Sequence, residues 1–211
     1  MRASPLSTSA IEFAGMESHA AFAIVALAAS AGGLKALTEV LAALPADFPA
    51  ALVVVQHLDP RHRSLMAQIL SHRTALHVRE AREGDTLATG TAYIAPPNRQ
   101  LLVNADGTLT LTQTELVHFV RPSADLLFES TAASYRERAI AVVLSGSGSD
   151  GAMGVKAIKK MGGTVIVQQP STSEFRGMPD AAEETGGADF VLPLAEIAPA
   201  LATLVGPAHA A

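Results

Sequence analysis

Residues 22–44 read FAIVALAASAGGLKALTEVLAAL, and this stretch determines the fold class. The apolar run 22–27 predicts a buried strand, and residues 30–33 predict a tight bend. Leucines at helical spacing then predict one buried helix face, which ends at Pro45. These leucines are Leu34, Leu37, Leu41 and Leu44. A strand, a turn and a helix in this order form the repeating unit of parallel α/β sheets.

The same pattern returns farther along the chain. Residues 52–56 predict a second strand, followed by a turn over 57–60 and a short helix. The apolar face of that helix comprises Leu65, Met66, Ile69 and Leu70. Residues 139–144 predict another strand, and the glycine-rich segment 146–151 leads into a further helix. The repetition predicts a three-layer α/β/α, doubly wound domain with a mostly parallel sheet.

Other elements complete this prediction. Asp106 and Gly107 form a strong hairpin signal, which predicts an antiparallel hairpin insertion near residues 90–115. Pro122 and Ser123 open a helix that runs through Tyr135, with Ser123 as its N-cap. The remaining predicted elements are strands over 164–167 and 190–192 and helices over 179–185 and 194–204.

The length and the N-terminal sequence indicate one domain. A chain of 211 residues with 49% hydrophobic residues can bury one sizeable core. Residues 1–20 lack a sustained hydrophobic period and predict a flexible leader. The folded domain is predicted over 21–207 and a tail over 208–211.

The run 20–29 is too short to cross a bilayer, and Glu17 and His19 replace the cations of an export signal. We therefore expect a cytoplasmic protein with no direct membrane insertion.

Composition and motifs exclude several function classes. A net charge of -5, from 15 Lys and Arg against 20 Asp and Glu, offers no broad basic surface for nucleic acid. The absence of cysteine removes disulfides, thiolate metal sites and cysteine nucleophiles. The G-x-G-x-x-G signature of a dinucleotide cofactor is missing, and the histidines near 57–77 lack H-E-x-x-H spacing. We expect neither a cofactor nor a metal.

Three apolar runs each lead to a residue that suits a hydrolytic relay, namely Ser30, His57 and Asp150. Loops beyond the carboxyl ends of parallel strands collect at one edge of a sheet. A serine hydroxyl needs a nearby base, and that base needs a group that holds it in one tautomer. We therefore predict Ser30 as nucleophile, His57 as base and Asp150 as orienting acid.

Each of these residues also has an ordinary structural explanation. Ser30 is equally compatible with a turn or N-cap serine, His57 with a loop histidine bonded to a carbonyl, and Asp150 with the cap of the following helix. An α/β-hydrolase is disfavoured, because Ser30 lacks a G-x-S-x-G context and the order serine, histidine, acid differs from that fold.

Six motifs in register resemble the catalytic domain of the bacterial chemotaxis protein-glutamate methylesterases, over about residues 22–204. They are ASAGG (29–33), QH (56–57), AYIAP (92–96), RPSADLLF (121–128), LSGSGSDG (144–151) and GMP (177–179). The resemblance implies hydrolysis of γ-glutamyl methyl esters on the cytoplasmic helices of chemoreceptors, with release of methanol. Some members also deamidate receptor glutamines. It assigns the nucleophile, base and acid to Ser30, His57 and Asp150.

Two positions depart from the commonest family pattern. Ala31 stands where a threonine is frequent, so a hydroxyl contact to the histidine is missing on that side. Ser147 replaces a frequent methionine whose backbone N–H helps to hold the oxyanion, and the main-chain donor survives this change. The resemblance thus implies an oxyanion site formed by backbone N–H groups near Ala31 and Ser147.

The resemblance also raises expectations about regulation and substrate binding. Typical members carry an amino-terminal receiver domain, whereas only about twenty residues precede the first predicted strand, so we expect a standalone form. Arg121 is a candidate contact to an acidic methylated receptor region, with a surface salt bridge as the alternative. Two other functions stay open: a catalytically weak receptor-binding module and a generic serine esterase.

Overall fold

A computed structural model describes residues 22–57, 64–114 and 120–206. The strands are β1 (Ala23–Ala29), β2 (Ala50–Gln56), β3 (His77–Glu80), β4 (Thr91–Ile94), β5 (Gln100–Val103), β6 (Leu109–Thr112), β7 (Ala139–Val143), β8 (Thr164–Gln168) and β9 (Phe190–Leu192). The helices are α1 (Gly33–Ala42), α2 (Met66–Ser71), α3 (Ala124–Tyr135), α4 (Ala152–Lys160), α5 (Gly177–Glu184) and α6 (Leu194–Val205). The predicted leader 1–20 and tail 208–211 lie outside the described residues.

A seven-stranded sheet in the order β3-β4-β2-β1-β7-β8-β9 forms the centre of the fold. All of its pairings are parallel. Strand β1 lies between β2 and β7, with Ala29 opposite Gln56 and Ala28 opposite Val143. The chain therefore leaves these neighbouring strands at one edge of the sheet.

Two apolar layers cover the sheet, because successive residues of a strand point to opposite faces. Val25 and Leu27 of β1 pack in the layer that includes α1, α2 and α6. Ala26 and Ala28 pack in the other layer, which includes Phe128 of α3 together with α4 and α5. The predicted three-layer α/β/α fold with a mostly parallel sheet is confirmed.

The predicted antiparallel hairpin insertion is confirmed, although it is confined to Gln100–Val103 and Leu109–Thr112 and does not fill the predicted range 90–115. Among the strands of the described segments, β5 and β6 alone pair antiparallel, whereas β4 lies inside the main sheet, parallel to β2 and β3. β4 has four residues, all buried, and so short an apolar run does not specify its pairing direction. Strand β3 is absent from the prediction because its sequence, HVRE, lacks an apolar run.

The predicted helix faces need correction at their ends. The buried face of α1 comprises Gly33, Ala36, Leu37, Val40 and Leu41, whereas Leu34 is 37% exposed. Leu65 and Ile69 are exposed as well, although Met66 and Leu70 of the same segment are buried. Leu34 lies in the first turn of α1, beyond the sheet, where it borders a surface groove.

None of the helices in the described part of the chain has the length and apolar character needed to cross a bilayer.

Candidate active site

Ser30 lies immediately after β1, in a loop held by backbone hydrogen bonds. Its N–H donates to the carbonyl of Ser145 at 3.0 Å, and its carbonyl accepts from the N–H of Gly33 at 2.9 Å. The N-cap of α1 is Gly32, and no side chain caps this helix. The Ser30 hydroxyl therefore does not serve as the cap of α1.

The bend after Ser30 depends on its two glycines. Gly32 has a φ of 72°, in the left-handed region that favours glycine. A Cβ at Gly33 would overlap Oε1 of Gln56 and lie 2.7 Å from Cβ of Ala29. The close approach of α1 to β1 and β2 thus requires a residue without a side chain at position 33.

We expect Gly33→Ala to destabilise the protein by about 1–3 kcal/mol, because the added methyl group would lie 2.7 Å from Cβ of Ala29, which is held by β1. This corresponds to a thermal midpoint lower by roughly 2–10 °C. Thermal unfolding followed by circular dichroism measures the shift. Lys35→Ala, an exposed change in the same helix turn, serves as the control. An unchanged midpoint for Gly33→Ala would contradict the close packing.

His57 follows β2 directly and contacts Asp150. Its N–H donates to the carbonyl of Ala29 at 3.1 Å, which places it beside the end of β1. Its Nε2 lies 2.8 Å from Oδ2 of Asp150, although 93 residues separate the two in sequence. Both side chains are largely buried, 13% and 4% exposed respectively. The structure thus brings the predicted base and acid into direct contact, next to the loop that carries Ser30.

The Asp150 carboxylate sits at the amino-terminal end of α3. Its Oδ1 accepts from the Ser123 hydroxyl at 2.9 Å and from the Asp125 N–H at 3.1 Å, and its Oδ2 accepts from the Ala124 N–H at 2.6 Å. The explanation of Asp150 as the cap of the following helix is therefore wrong, since Gly151 is the N-cap of α4. Asp150 instead occupies the positive end of a helix on another part of the chain.

These contacts lower the pKa of Asp150 from its ordinary value of 3.8. Burial alone raises this pKa, since it disfavours the charged form. The hydrogen bond from His57, those from the N–H groups of Ala124 and Asp125, and the charge of His57 outweigh that effect. The carboxylate therefore stays ionised and can accept a hydrogen bond from Nε2–H of His57.

The side chain of Asp125, at the start of α3, binds backbone N–H groups at the start of α4. Its Oδ1 accepts from the N–H groups of Gly151 at 3.0 Å and Gly154 at 2.7 Å. Its own N–H donates to Asp150, so each helix end is held by a carboxylate from the other segment. Sequence reasoning missed Asp125, although its position two residues after the N-cap Ser123 is a usable signal. The N-cap role of Ser123 itself is confirmed, with a 3.5 Å bond from the N–H of Leu126.

The loop after β7 packs directly against Ser30. A Cβ at Gly146 would lie 3.0 Å from Cβ of Ser30. The Ser145 hydroxyl donates to the Ala31 carbonyl at 2.9 Å and accepts from the Phe175 N–H at 3.0 Å. Among the residues that the structure describes, no protein acceptor binds the N–H of Ala31 or of Ser147. The oxyanion role that the family resemblance implies for these two N–H groups stays a prediction.

Arg121 links the hairpin to the start of α3. Its Nε and Nη2 donate to Oδ1 of Asn98 at 2.9 and 2.5 Å, and its Nη1 donates to the carbonyls of Gln113 and Thr114. No carboxylate in the described segments forms an ion pair with Arg121. A contact of Arg121 with a receptor stays a prediction.

A surface groove of about 470 Å³ adjoins Ser30. Leu34 and Met66 contribute its apolar wall, Gln56 lines it beside Ser30, and Lys35 lies at the same groove. Within residues 22–57, 64–114 and 120–206, no group of three His, Asp or Glu side chains is arranged to hold a metal ion.

Comparisons with known proteins agree on one family. The family model described as CheB methylesterase matches residues 25–201. A protein-glutamate methylesterase/protein-glutamine glutaminase of Moorella thermoacetica is 44% identical over 186 residues, covering 86% of this chain and 44% of the relative. One from Symbiobacterium thermophilum is 42% identical, covering 87% and 51%. The chain thus spans about half the length of these two relatives.

A shorter relative and a solved structure match over nearly their whole length. A putative protein-glutamate methylesterase/protein-glutamine glutaminase of Leptospira interrogans is 40% identical, covering 82% of this chain and 90% of the relative. The crystal structure of the Thermotoga maritima CheB methylesterase catalytic domain is 37% identical with a TM-score of 0.84, covering 87% of this chain and 99% of that one. The chain belongs to the CheB methylesterase family.

Proposed function

We propose that this protein hydrolyses γ-glutamyl methyl esters on the cytoplasmic helices of chemoreceptors, releases methanol, and also deamidates receptor glutamines. The observation that carries the proposal is the 2.8 Å contact between His57 and the buried Asp150 carboxylate, beside the Ser30 loop. Membership of the CheB methylesterase family supports the substrate class. The partner is a methylated chemoreceptor, and the protein works in the cytoplasm.

The first half of the reaction transfers the acyl group to Ser30. Nδ1 of His57 takes the hydroxyl proton as Oγ attacks the ester carbonyl carbon, and Asp150 stabilises the imidazolium through Nε2–H. The N–H groups of Ala31 and Ser147 bind the oxyanion that forms. When the intermediate collapses, the bond to the methoxy group breaks, and His57 gives its proton to the methoxy oxygen, which leaves as methanol.

The second half returns the free enzyme. His57 takes a proton from water as the water oxygen attacks the acyl carbon, and the second intermediate collapses with Ser30 as leaving group. His57 returns the proton to Ser30, and the product is a glutamate side chain. With a glutamine substrate the same steps release ammonia in place of methanol.

A product assay tests the proposal. We expect the protein to release methanol from a chemoreceptor cytoplasmic fragment that carries radiolabelled methyl esters, and to accept one phosphonyl group at Ser30 from a fluorophosphonate, detected by intact mass. Receptor binding without labelling or methanol release would indicate a binding module instead. Hydrolysis of small esters such as p-nitrophenyl acetate, without action on the methylated receptor, would indicate a generic serine esterase.

A further inference from the structure

Gln56, the last residue of β2, bridges the backbones of the two residues proposed as nucleophile and base. Its Nε2 donates to the carbonyl of Ser30 at 2.6 Å and to the carbonyl of His57 at 3.1 Å. Gln56 as a whole residue is 5% exposed, so water competes little for these bonds. A single amide group therefore joins the first residues of both loops.

These hydrogen bonds of Gln56 lie at the point where the pairing of β1 and β2 ends. The last paired residues of β1 and β2 are Ala29 and Gln56, and the bond from the His57 N–H to Ala29 is the final rung of the ladder. Beyond it, Ser30 leads into α1, and β2 has ended at Gln56. The bond from the Gln56 amide to the Ser30 carbonyl is the cross-strand hydrogen bond next to this rung.

The other end of the same side chain has no hydrogen bond. No donor in the described residues reaches the buried Oε1 of Gln56, which instead packs against Gly33. Gln168 lies at the corresponding end of β8, and both groups of its side-chain amide form hydrogen bonds. Its Oε1 accepts from the Ser145 N–H, and its Nε2 donates to the Thr172 carbonyl. A buried oxygen without a partner is destabilising, so the Nε2 bonds are the benefit that Gln56 provides.

We propose that Gln56 is a positioning residue that sets the spacing between Ser30 and His57. The proposal rests on the proposed roles of these two residues. The role needs no contact between the Gln56 amide and the substrate, because both Nε2 bonds go to backbone carbonyls. Its effect is geometric, because a displacement of the reacting groups by about 1 Å can cost on the order of 10² in rate.

Gln56→Met tests this role, since methionine keeps the length of the side chain and lacks the amide. We expect kcat to fall by about 10- to 100-fold. KM should change by less than roughly twofold, because the groove wall keeps its shape and only the reacting groups shift. The thermal midpoint should stay within about 4 °C of wild type, because the unpartnered oxygen is lost together with the two bonds.

A second variant and a control separate positioning from stability. Gln56→Glu keeps the shape but directs an oxygen at the two carbonyls, and we expect a loss of kcat at least as large as for methionine. Thr131→Val is the matched control, because Thr131 of α3 is fully buried and its Oγ1 also lacks a partner in the described part of the chain. The control removes a buried polar atom far from the site and should leave kcat unchanged.

The rate of phosphonylation of Ser30 by a fluorophosphonate reports the nucleophile without any receptor. If the wild type does not react at Ser30, the proposed function fails, whatever Gln56 does. If the wild type reacts and both variants react at the same rate with unchanged kcat, the positioning role is overturned. If both variants are unfolded at 25 °C, Gln56 acts through stability and the proposal is equally overturned. Slower phosphonylation at an unchanged thermal midpoint is the supporting result.

Discussion

Ser30→Ala is expected to reduce methanol release from a methylated receptor fragment by on the order of 10⁶. Without the hydroxyl no acyl-enzyme forms, and the remaining groups stabilise only a direct attack by water. Phosphonylation by a fluorophosphonate should disappear as well. A radiometric methanol assay with long incubation and high enzyme concentration covers the required range.

The fold of this variant should remain intact, because the hydrogen bonds that hold Ser30 use its backbone. Its N–H bonds to Ser145, and its carbonyl accepts from Gly33 and Gln56, all of which alanine retains. The thermal midpoint should therefore match wild type. Ser71→Ala, which removes an exposed hydroxyl at the end of α2, is the control and should keep full activity. Retention of most activity by Ser30→Ala would refute the assignment of the nucleophile.

The strand, turn and helix units were predictable because their apolar runs are well separated. The apolar runs before Ser30 and His57 match β1 and β2. Each run is too short for a helix and is followed by glycine or turn residues, and both features indicate a strand. The strand order was not predictable, because periodicity shows which residues are buried and not which strands are neighbours. The position of β1 between β2 and β7 is set by contacts between residues far apart in sequence, which no local pattern contains.

The supporting contacts of the site were the least predictable part. Asp150 and the N–H groups of Ala124 and Asp125 meet only because α3 and α4 pack on the same face of the sheet. No local spacing encodes that meeting. Gln56 likewise has the appearance of an ordinary polar residue at a strand end, and its bond to Ser30 depends on the register between β1 and β2.

Asp150→Asn is expected to reduce kcat for ester hydrolysis by roughly 10⁴, with little change in KM. In the proposed mechanism the carboxylate holds the imidazole proton on Nε2 of His57, so that Nδ1 can accept the Ser30 proton. An asparagine can direct its NH₂ group at Nε2, which moves the imidazole proton to Nδ1. His57 then cannot act as the base, although the shape of the site is kept.

This substitution should also lower stability in a pH-dependent way. The pKa of Asp150 is lowered in the folded protein, so ionisation of this group stabilises the fold at pH values above its ordinary pKa of 3.8. That contribution is lost as the pH falls through the lowered pKa. The difference in thermal midpoint between wild type and Asp150→Asn should therefore be largest near pH 7 and shrink below about pH 4.

Asp189→Asn provides the matched control for both measurements. Asp189 accepts from the Val165 N–H at 2.8 Å and pairs with Lys159, and it lies before β9 at the opposite edge of the sheet. Its replacement should leave kcat unchanged while it affects stability. If Asp150→Asn lowered the thermal midpoint and left kcat within tenfold of wild type, Asp150 would serve only to join α3 to the loop after β7. A loss of kcat that persists well below the unfolding temperature would instead show that the carboxylate acts on His57.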